Sequence, residues 1–206
     1  MIENFVRRPQ RASEVFADAL RIAGGVSVIV AAMWWTATDA GVLAFMLPGL
    51  LLPRFLGVRS SFDIAYCTIL LVAAWSNVFD LYTSVAYWDL LVHFACTGVL
   101  AATLYLLLAR LGIVIDPDSD DLTTVGAVIL TSTLGLAAGA LWEMVEWVGH
   151  AFISEDIFVS YDDTIADLGF GLLGAIVAGF AVAFVRLTRV RETPPVGEHV
   201  HSRSGG

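Results

Sequence analysis

Six apolar segments, each about as long as a bilayer's hydrocarbon core is thick, constrain this chain of 206 residues more than any other feature. A helix needs roughly 20 apolar residues to cross that core. The segments are Leu20–Ala37, Ala40–Gly57, Phe62–Leu81, Trp88–Ala109, Leu122–Glu146 and Asp163–Val185. They predict an all-α fold, in which a polytopic membrane protein forms a bundle of six transmembrane helices.

The composition supports this class and argues against others. Hydrophobic residues make up 58% of the chain and charged residues only 15%, whereas soluble domains carry about 25% charged residues. The net charge of −9 argues against nucleic acid as a partner, because phosphate contacts need clustered basic residues. Membrane lipids are the partners that the sequence predicts.

All 11 basic residues are arginines, and their positions predict the orientation. With the amino terminus in the cytoplasm, six spans place every arginine on the cytoplasmic side, as the positive-inside rule requires. We therefore expect a multi-pass protein of the cytoplasmic (inner) membrane with both termini in the cytoplasm. The arginines are Arg7, Arg8, Arg11, Arg21, Arg54, Arg59, Arg110, Arg186, Arg189, Arg191 and Arg203.

The chain divides into a cytoplasmic amino-terminal segment (1–16), a six-helix transmembrane domain (17–191) and a disordered cytoplasmic tail (192–206). The tail has too little apolar content to pack. The second span has two interpretations, because Pro48 and Pro53 each remove a helical hydrogen bond. It is either a full crossing or a kinked, partly re-entrant segment.

Ionisable side chains gather at the predicted outer ends of the last three spans. The fourth span carries Asp89 and His93 one turn apart on one face. Small residues at four-residue spacing predict close packing of the fifth and sixth spans; they are Gly135, Gly139, Gly171, Ala175 and Gly179. The carboxylates that lie above this seam are Glu143 and Glu146 on the fifth span and Asp163 and Asp167 on the sixth, with His150 nearby.

Five carboxylates crowded in a membrane, with no arginine on that side, cannot all stay ionised without a cation. Either some bind protons, or a divalent metal lies among them. Imidazole mixed with carboxylate favours Zn²⁺, Mn²⁺ or Fe²⁺ over Mg²⁺ or Ca²⁺. The residues predicted as metal ligands are His93, Glu143, Asp163 and Asp167, with His150 as an additional ligand, and those predicted as catalytic bases are Asp89 and Glu146.

Some of these residues also have simpler interpretations. Asp162 is better explained as the amino-terminal cap of the last span, and for Asp163 capping and metal binding are equally supported. His150 fits the headgroup region somewhat better than a ligand shell. By contrast, His93, Glu143 and Asp167 lie inside apolar helices, where ionisable residues are usually functional.

Three segments together resemble the YjdF family of bacterial inner-membrane proteins. They read W-D-L-L-V-H-F at 88–94, W-E-M-V-E-W at 142–147 and Y-D-D-T-I-A-D-L at 161–168. A more distant resemblance is to VanZ-like proteins, which are linked to glycopeptide resistance at the cell envelope. Where those proteins carry Gln and Asn, this chain has Glu146 and Asp167, so its site is more acidic. The resemblance implies a membrane location and a shared polar site.

Three functions fit the sequence. The first is a metal-dependent enzyme that acts on a lipid or a lipid-linked envelope substrate. The second is a cation- or proton-coupled transporter that uses the same carboxylates. The third is a membrane scaffold in which the polar cluster only fixes helix packing.

The distribution of arginines makes the orientation testable. A reporter that is active only in the cytoplasm should give signal when fused to either terminus, and one that is active only outside should give none. Signal from an external reporter at either terminus would contradict the predicted orientation.

Overall fold

The computed structural model describes residues 1–154, 157 and 159–189, and within them the chain is helical with short connections. Its helices are α1 (Ile2–Val6), α2 (Ala12–Trp34), α3 (Ala37–Leu56), α4 (Ser60–Val78), α5 (Leu81–Ser84), α6 (Trp88–Arg110), α7 (Thr124–Phe152) and α8 (Tyr161–Phe184). Six of these are long and apolar enough to cross a membrane. The predicted all-α bundle of six spans is therefore confirmed.

Two span boundaries differ from the prediction by more than three residues. Helix α2 begins at Ala12 rather than Leu20, because Glu14 and Asp18 in its first turns pair with arginines instead of ending the helix. Helix α7 continues to Phe152, so its 29 residues make it about 44 Å long. That length exceeds the roughly 30 Å hydrocarbon core, so α7 extends beyond the core.

Helix α3 is continuous through both prolines. A capping box between Thr36 and Asp39 fixes its start, and Gly57 ends it in the left-handed conformation at φ 69°. Its 20 residues span about 30 Å, which is enough for a full crossing. The structure therefore favours the full crossing over the re-entrant segment.

The amino-terminal segment packs on the bundle rather than standing apart from it. The Phe5 ring stacks on Phe55 with centroids 4.3 Å apart, and the Asn4 side chain donates to the Phe55 carbonyl. Residues 192–206, the predicted tail, lie outside the described residues.

The spans form two groups of three. Helices α2, α3 and α4 share a core that includes Leu43, Leu50 and Tyr66. Helices α6, α7 and α8 share a second core around Ala101, Tyr105 and Val182, and α4 and α3 contact α6. The second group carries the ionisable side chains that the sequence singled out.

Helices α6 and α8 approach each other so closely that their backbones touch. A Cβ atom at Gly174 would collide with the carbonyl oxygen of Phe94, and one at Gly98 would lie 3.0 Å from the carbonyl oxygen of Gly174. The predicted seam between α7 and α8 is also present, because Gly135 faces Ala175. Gly139 is less restricted, since its nearest neighbour is the Leu168 side chain at 3.2 Å.

Charges separate along the bundle. Arg54 reaches Asp18 at 2.7 Å, Arg21 forms a buried ion pair with Asp63, and Arg189 donates to the Val58 carbonyl. These contacts join α2, α3, α4 and the segment after α8 at one end of the bundle, here called the arginine end. The opposite helix ends, here called the carboxylate end, carry the carboxylate cluster, whose residues are Asp89, His93, Glu143, Glu146 and Asp167.

The backbone contact at Gly174 should be sensitive to a single methyl group. We expect Gly174→Ala to lower the stability of the purified protein by about 1–3 kcal/mol, because the added Cβ meets backbone that cannot move aside. Gly169→Ala is the matched control on the same helix. A Cβ there meets nothing within 4 Å, so stability should rise slightly. Equal thermal unfolding of the two variants would contradict the contact.

Candidate metal centre

His93 lies at the centre of the carboxylate cluster, and its position follows from α6. The helix starts at Trp88, after Tyr87 in the left-handed conformation. Asp89 and His93 share one face of it because they lie four residues apart. The His93 residue is only 8% exposed. Its ring therefore lies inside the group formed by α6, α7 and α8.

The two nitrogens of the His93 ring face different carboxylates. Nε2 lies 3.4 Å from Asp89 Oδ1 and 3.9 Å from Asp167 Oδ2. Nδ1 lies 3.9 Å from Glu143 Oε1. One imidazole thus links three membrane helices through carboxylates at both of its edges.

These residues form two triads that share His93. One consists of Asp89, His93 and Asp167, and the other of His93, Glu143 and Glu146. Within each triad, one potential ligand atom per residue lies within 4.8 Å of the others. The sequence grouped Glu143 with Asp167 as ligands, whereas the structure places them toward opposite edges of the ring.

Two buried carboxylate oxygens in the cluster have no hydrogen-bond partner in the described structure. They are Glu143 Oε1 and Asp167 Oδ1. The side chains are 10% and 2% exposed, respectively. An ionised carboxylate buried in this way is strongly unfavourable unless a cation or a proton compensates it.

The spacing fits a divalent ion at the Nε2 edge. Bonds of about 2.0–2.2 Å in tetrahedral geometry place ligand atoms roughly 3.4 Å apart. The separations from Nε2 to Asp89 and Asp167 are 3.4 and 3.9 Å, so small side-chain rotations would bring both oxygens to ligand distance.

Asp163 and His150 lie outside both triads. Ser160 is the amino-terminal cap of α8, and its hydroxyl accepts from the Asp163 backbone N–H at 3.2 Å. The prediction that Asp162 or Asp163 is that cap is therefore wrong. Asp163 lies one turn before Asp167, nearer the helix end.

His150 is held by a loop rather than by the cluster. Its Nδ1 lies 2.6 Å from the carbonyl oxygen of Ile157. The described cluster therefore offers one imidazole and several carboxylates, not two imidazoles. This more oxygen-rich set favours Mn²⁺ or Fe²⁺ and accommodates Mg²⁺ better than the sequence suggested.

The sequence analysis missed Gly98, a residue that helps to form the site. With Gly174, it lets α6 and α8 approach and so brings Asp167 to the edge of His93. The sequence contains a signal for this contact, because Gly98 and Gly174 are small residues on membrane-spanning helices. Gly174 directly precedes Ala175, which belongs to the four-residue pattern of small residues on the last span. Only that pattern was used to predict the packing faces.

The fold and the site define a six-span helical membrane protein with a buried cluster of one histidine and several carboxylates. A family model described as predicted membrane protein (DUF2238) matches residues 15–189, and the chain belongs to this family. The YjdF proteins are members of it, so that resemblance holds at the family level. No comparison supports the VanZ-like resemblance. Searches of curated proteins and of solved structures find no match.

Proposed function

We propose that this protein is a metal-dependent enzyme of the cytoplasmic (inner) membrane that acts on a lipid or lipid-linked envelope substrate. One observation carries the proposal: carboxylates from three helices surround a single buried imidazole, and two of them have buried oxygens without a partner. A divalent ion at the Nε2 edge, held by Asp89, His93 and Asp167, would compensate these charges.

The remaining residues then have distinct roles. Glu143 Oε1 faces His93 Nδ1 at 3.9 Å; a closer approach on metal binding would let it accept the Nδ1 proton and fix the tautomer that leaves Nε2 free, as carboxylates beside ligating histidines commonly do. Glu146, which shares the second triad, is the candidate general base. Asp89, predicted from sequence as a base, becomes a ligand because it lies nearest to Nε2. The ion itself would supply Lewis-acid assistance.

The packing below the cluster favours an enzyme over a transporter. A carrier needs a path from the cluster to the other side of the membrane. Just below His93, however, the α6 and α8 backbones touch at Phe94, Gly98 and Gly174, and Gly171 lies against Thr97. A seam closed by backbone on two helices cannot open by side-chain rotation alone.

A purely structural role is disfavoured on energetic grounds. A buried charged cluster with unpartnered oxygens is usually less stable than apolar residues of the same volume. A scaffold would gain nothing from burying one oxygen of Glu143 and one of Asp167 without a hydrogen-bond partner.

The segregation of charge supports the proposed orientation. The positive-inside rule assigns the arginine end to the cytoplasm, with both termini there. The carboxylate end then faces outward, where lipid-linked envelope substrates are exposed. Asp89 has 32% of its side chain exposed, so a headgroup could reach the cluster from that surface.

Metal analysis of the purified protein tests the proposal. We expect wild-type protein to retain about one divalent ion per chain after exhaustive dialysis, and His93→Ala to lose it. His150→Ala is the matched control, because it removes a histidine near the same end that is bonded to a loop carbonyl. It should keep the ion. Equal metal content in all three proteins would refute the proposal.

A further inference from the structure

Helix α6 begins without a capping side chain. Its first flanking residue, Tyr87, makes no side-chain cap and has φ 62°, a left-handed conformation that is unfavourable for residues other than glycine. Helix α8, which also begins at the carboxylate end, is capped by the Ser160 hydroxyl. The first N–H groups of a helix have no acceptor within it, so an uncapped first turn tends to fray. Asp89 lies in that turn of α6.

A hydrogen bond to α4 holds this first turn instead. The Trp88 Nε1–H group donates to the Ser76 hydroxyl at 2.9 Å, and that hydroxyl donates to the Val72 carbonyl at 2.7 Å. Ser76 is completely buried. Because the hydroxyl uses both of its hydrogen-bonding roles within the protein, its orientation toward Trp88 is fixed. Among the described residues, no other side-chain hydrogen bond joins α4 to α6.

The position of Asp89 depends on this turn. Asp89 directly follows Trp88, and its Oδ1 lies 3.4 Å from His93 Nε2, nearer than any other carboxylate oxygen in the triads. The contact requires a helical first turn, since it is the helix that brings residues four apart onto one face. The His93 side chain is 9% exposed and that of Asp89 is 32% exposed. Fraying would therefore move Asp89 away while the buried ring of His93 stays in place.

We infer that Ser76 and Trp88 are positioning residues for the carboxylate cluster. Their hydrogen bond fixes the start of α6 and thereby holds the Asp89 carboxylate beside His93. As a statement about metal binding, this inference rests on the proposed function. As a statement about the position of Asp89, it does not depend on the metal.

Solid-state NMR of the metal-free protein in lipid bilayers tests the position of Asp89. With ¹⁵N-labelled histidine and ¹³C-labelled aspartate, the dipolar coupling between His93 Nε2 and the Asp89 carboxyl carbon reports their separation, and its loss in Asp89→Asn assigns it. We expect Trp88→Phe, which keeps an aromatic ring but removes the N–H donor, to weaken this coupling. Ser76→Ala should do the same and gives a second variant if the first does not fold. Wild-type coupling in both variants would overturn the inference.

Trp75→Phe is the matched control. Trp75 also donates its indole N–H group to a serine hydroxyl, that of Ser27 at 3.0 Å. That bond joins α4 to α2, within the other group of spans. Its loss should lower stability and leave the coupling between Asp89 and His93 unchanged. If Trp75→Phe weakened the coupling as much as Trp88→Phe does, the effect would be a general loss of packing, and the inference would be overturned.

The Mn²⁺ affinity of the same variants measures the consequence for the site. We expect Trp88→Phe and Ser76→Ala each to raise the dissociation constant about ten-fold, as loss of a group that orients a ligand commonly does, and Trp75→Phe to leave it unchanged. The double variant should bind no more weakly than either single variant, because both remove the same bond. Unchanged affinity in Trp88→Phe and Ser76→Ala would overturn the statement about metal binding. A weakened coupling in a protein that binds no Mn²⁺ would refute only the proposed function.

Discussion

The backbone contact between α6 and α8 is the constraint on which the rest of the structure depends. Because Gly98 and Gly174 have no side chains, the Phe94 carbonyl can lie against Gly174. This approach brings Asp167 of α8 to the Nε2 edge of His93. It also closes the space beneath the cluster. A wider separation would leave the carboxylates on separate helices without a common centre.

At the arginine end of the bundle, acidic side chains form ion pairs with arginines. Asp18 and Asp63 pair with Arg54 and Arg21, so even the buried pair is compensated within the protein. At the carboxylate end, several carboxylates surround the one imidazole of His93 in the described structure, with no arginine contact recorded among them. The contrast supports an external cation at that end, because at the arginine end of the described structure the buried carboxylate of Asp63 has an arginine partner.

The sequence was sufficient to predict the six spans, since apolar length alone determines them. The residues it favoured as ligands, His93, Glu143 and Asp167, lie close together in the structure. It misplaced the start of α2, because hydropathy cannot show that Glu14 and Asp18 are paired with arginines. It could not assign carboxylates to the edges of the His93 ring, since that depends on how three helices are rotated against each other. His150 was included because it follows Glu146 by one turn, whereas a loop carbonyl seven residues later determines its contact.

The proposed function requires His93 to ligate a divalent ion through a ring nitrogen. Pulsed electron paramagnetic resonance of the Mn²⁺-loaded protein measures this directly, because a bound imidazole nitrogen modulates the echo of the ion. We predict coupling to a single ¹⁴N nucleus that disappears in His93→Gln and persists in His150→Gln. A spectrum of bound Mn²⁺ without nitrogen coupling, or with coupling unchanged in His93→Gln, would contradict it.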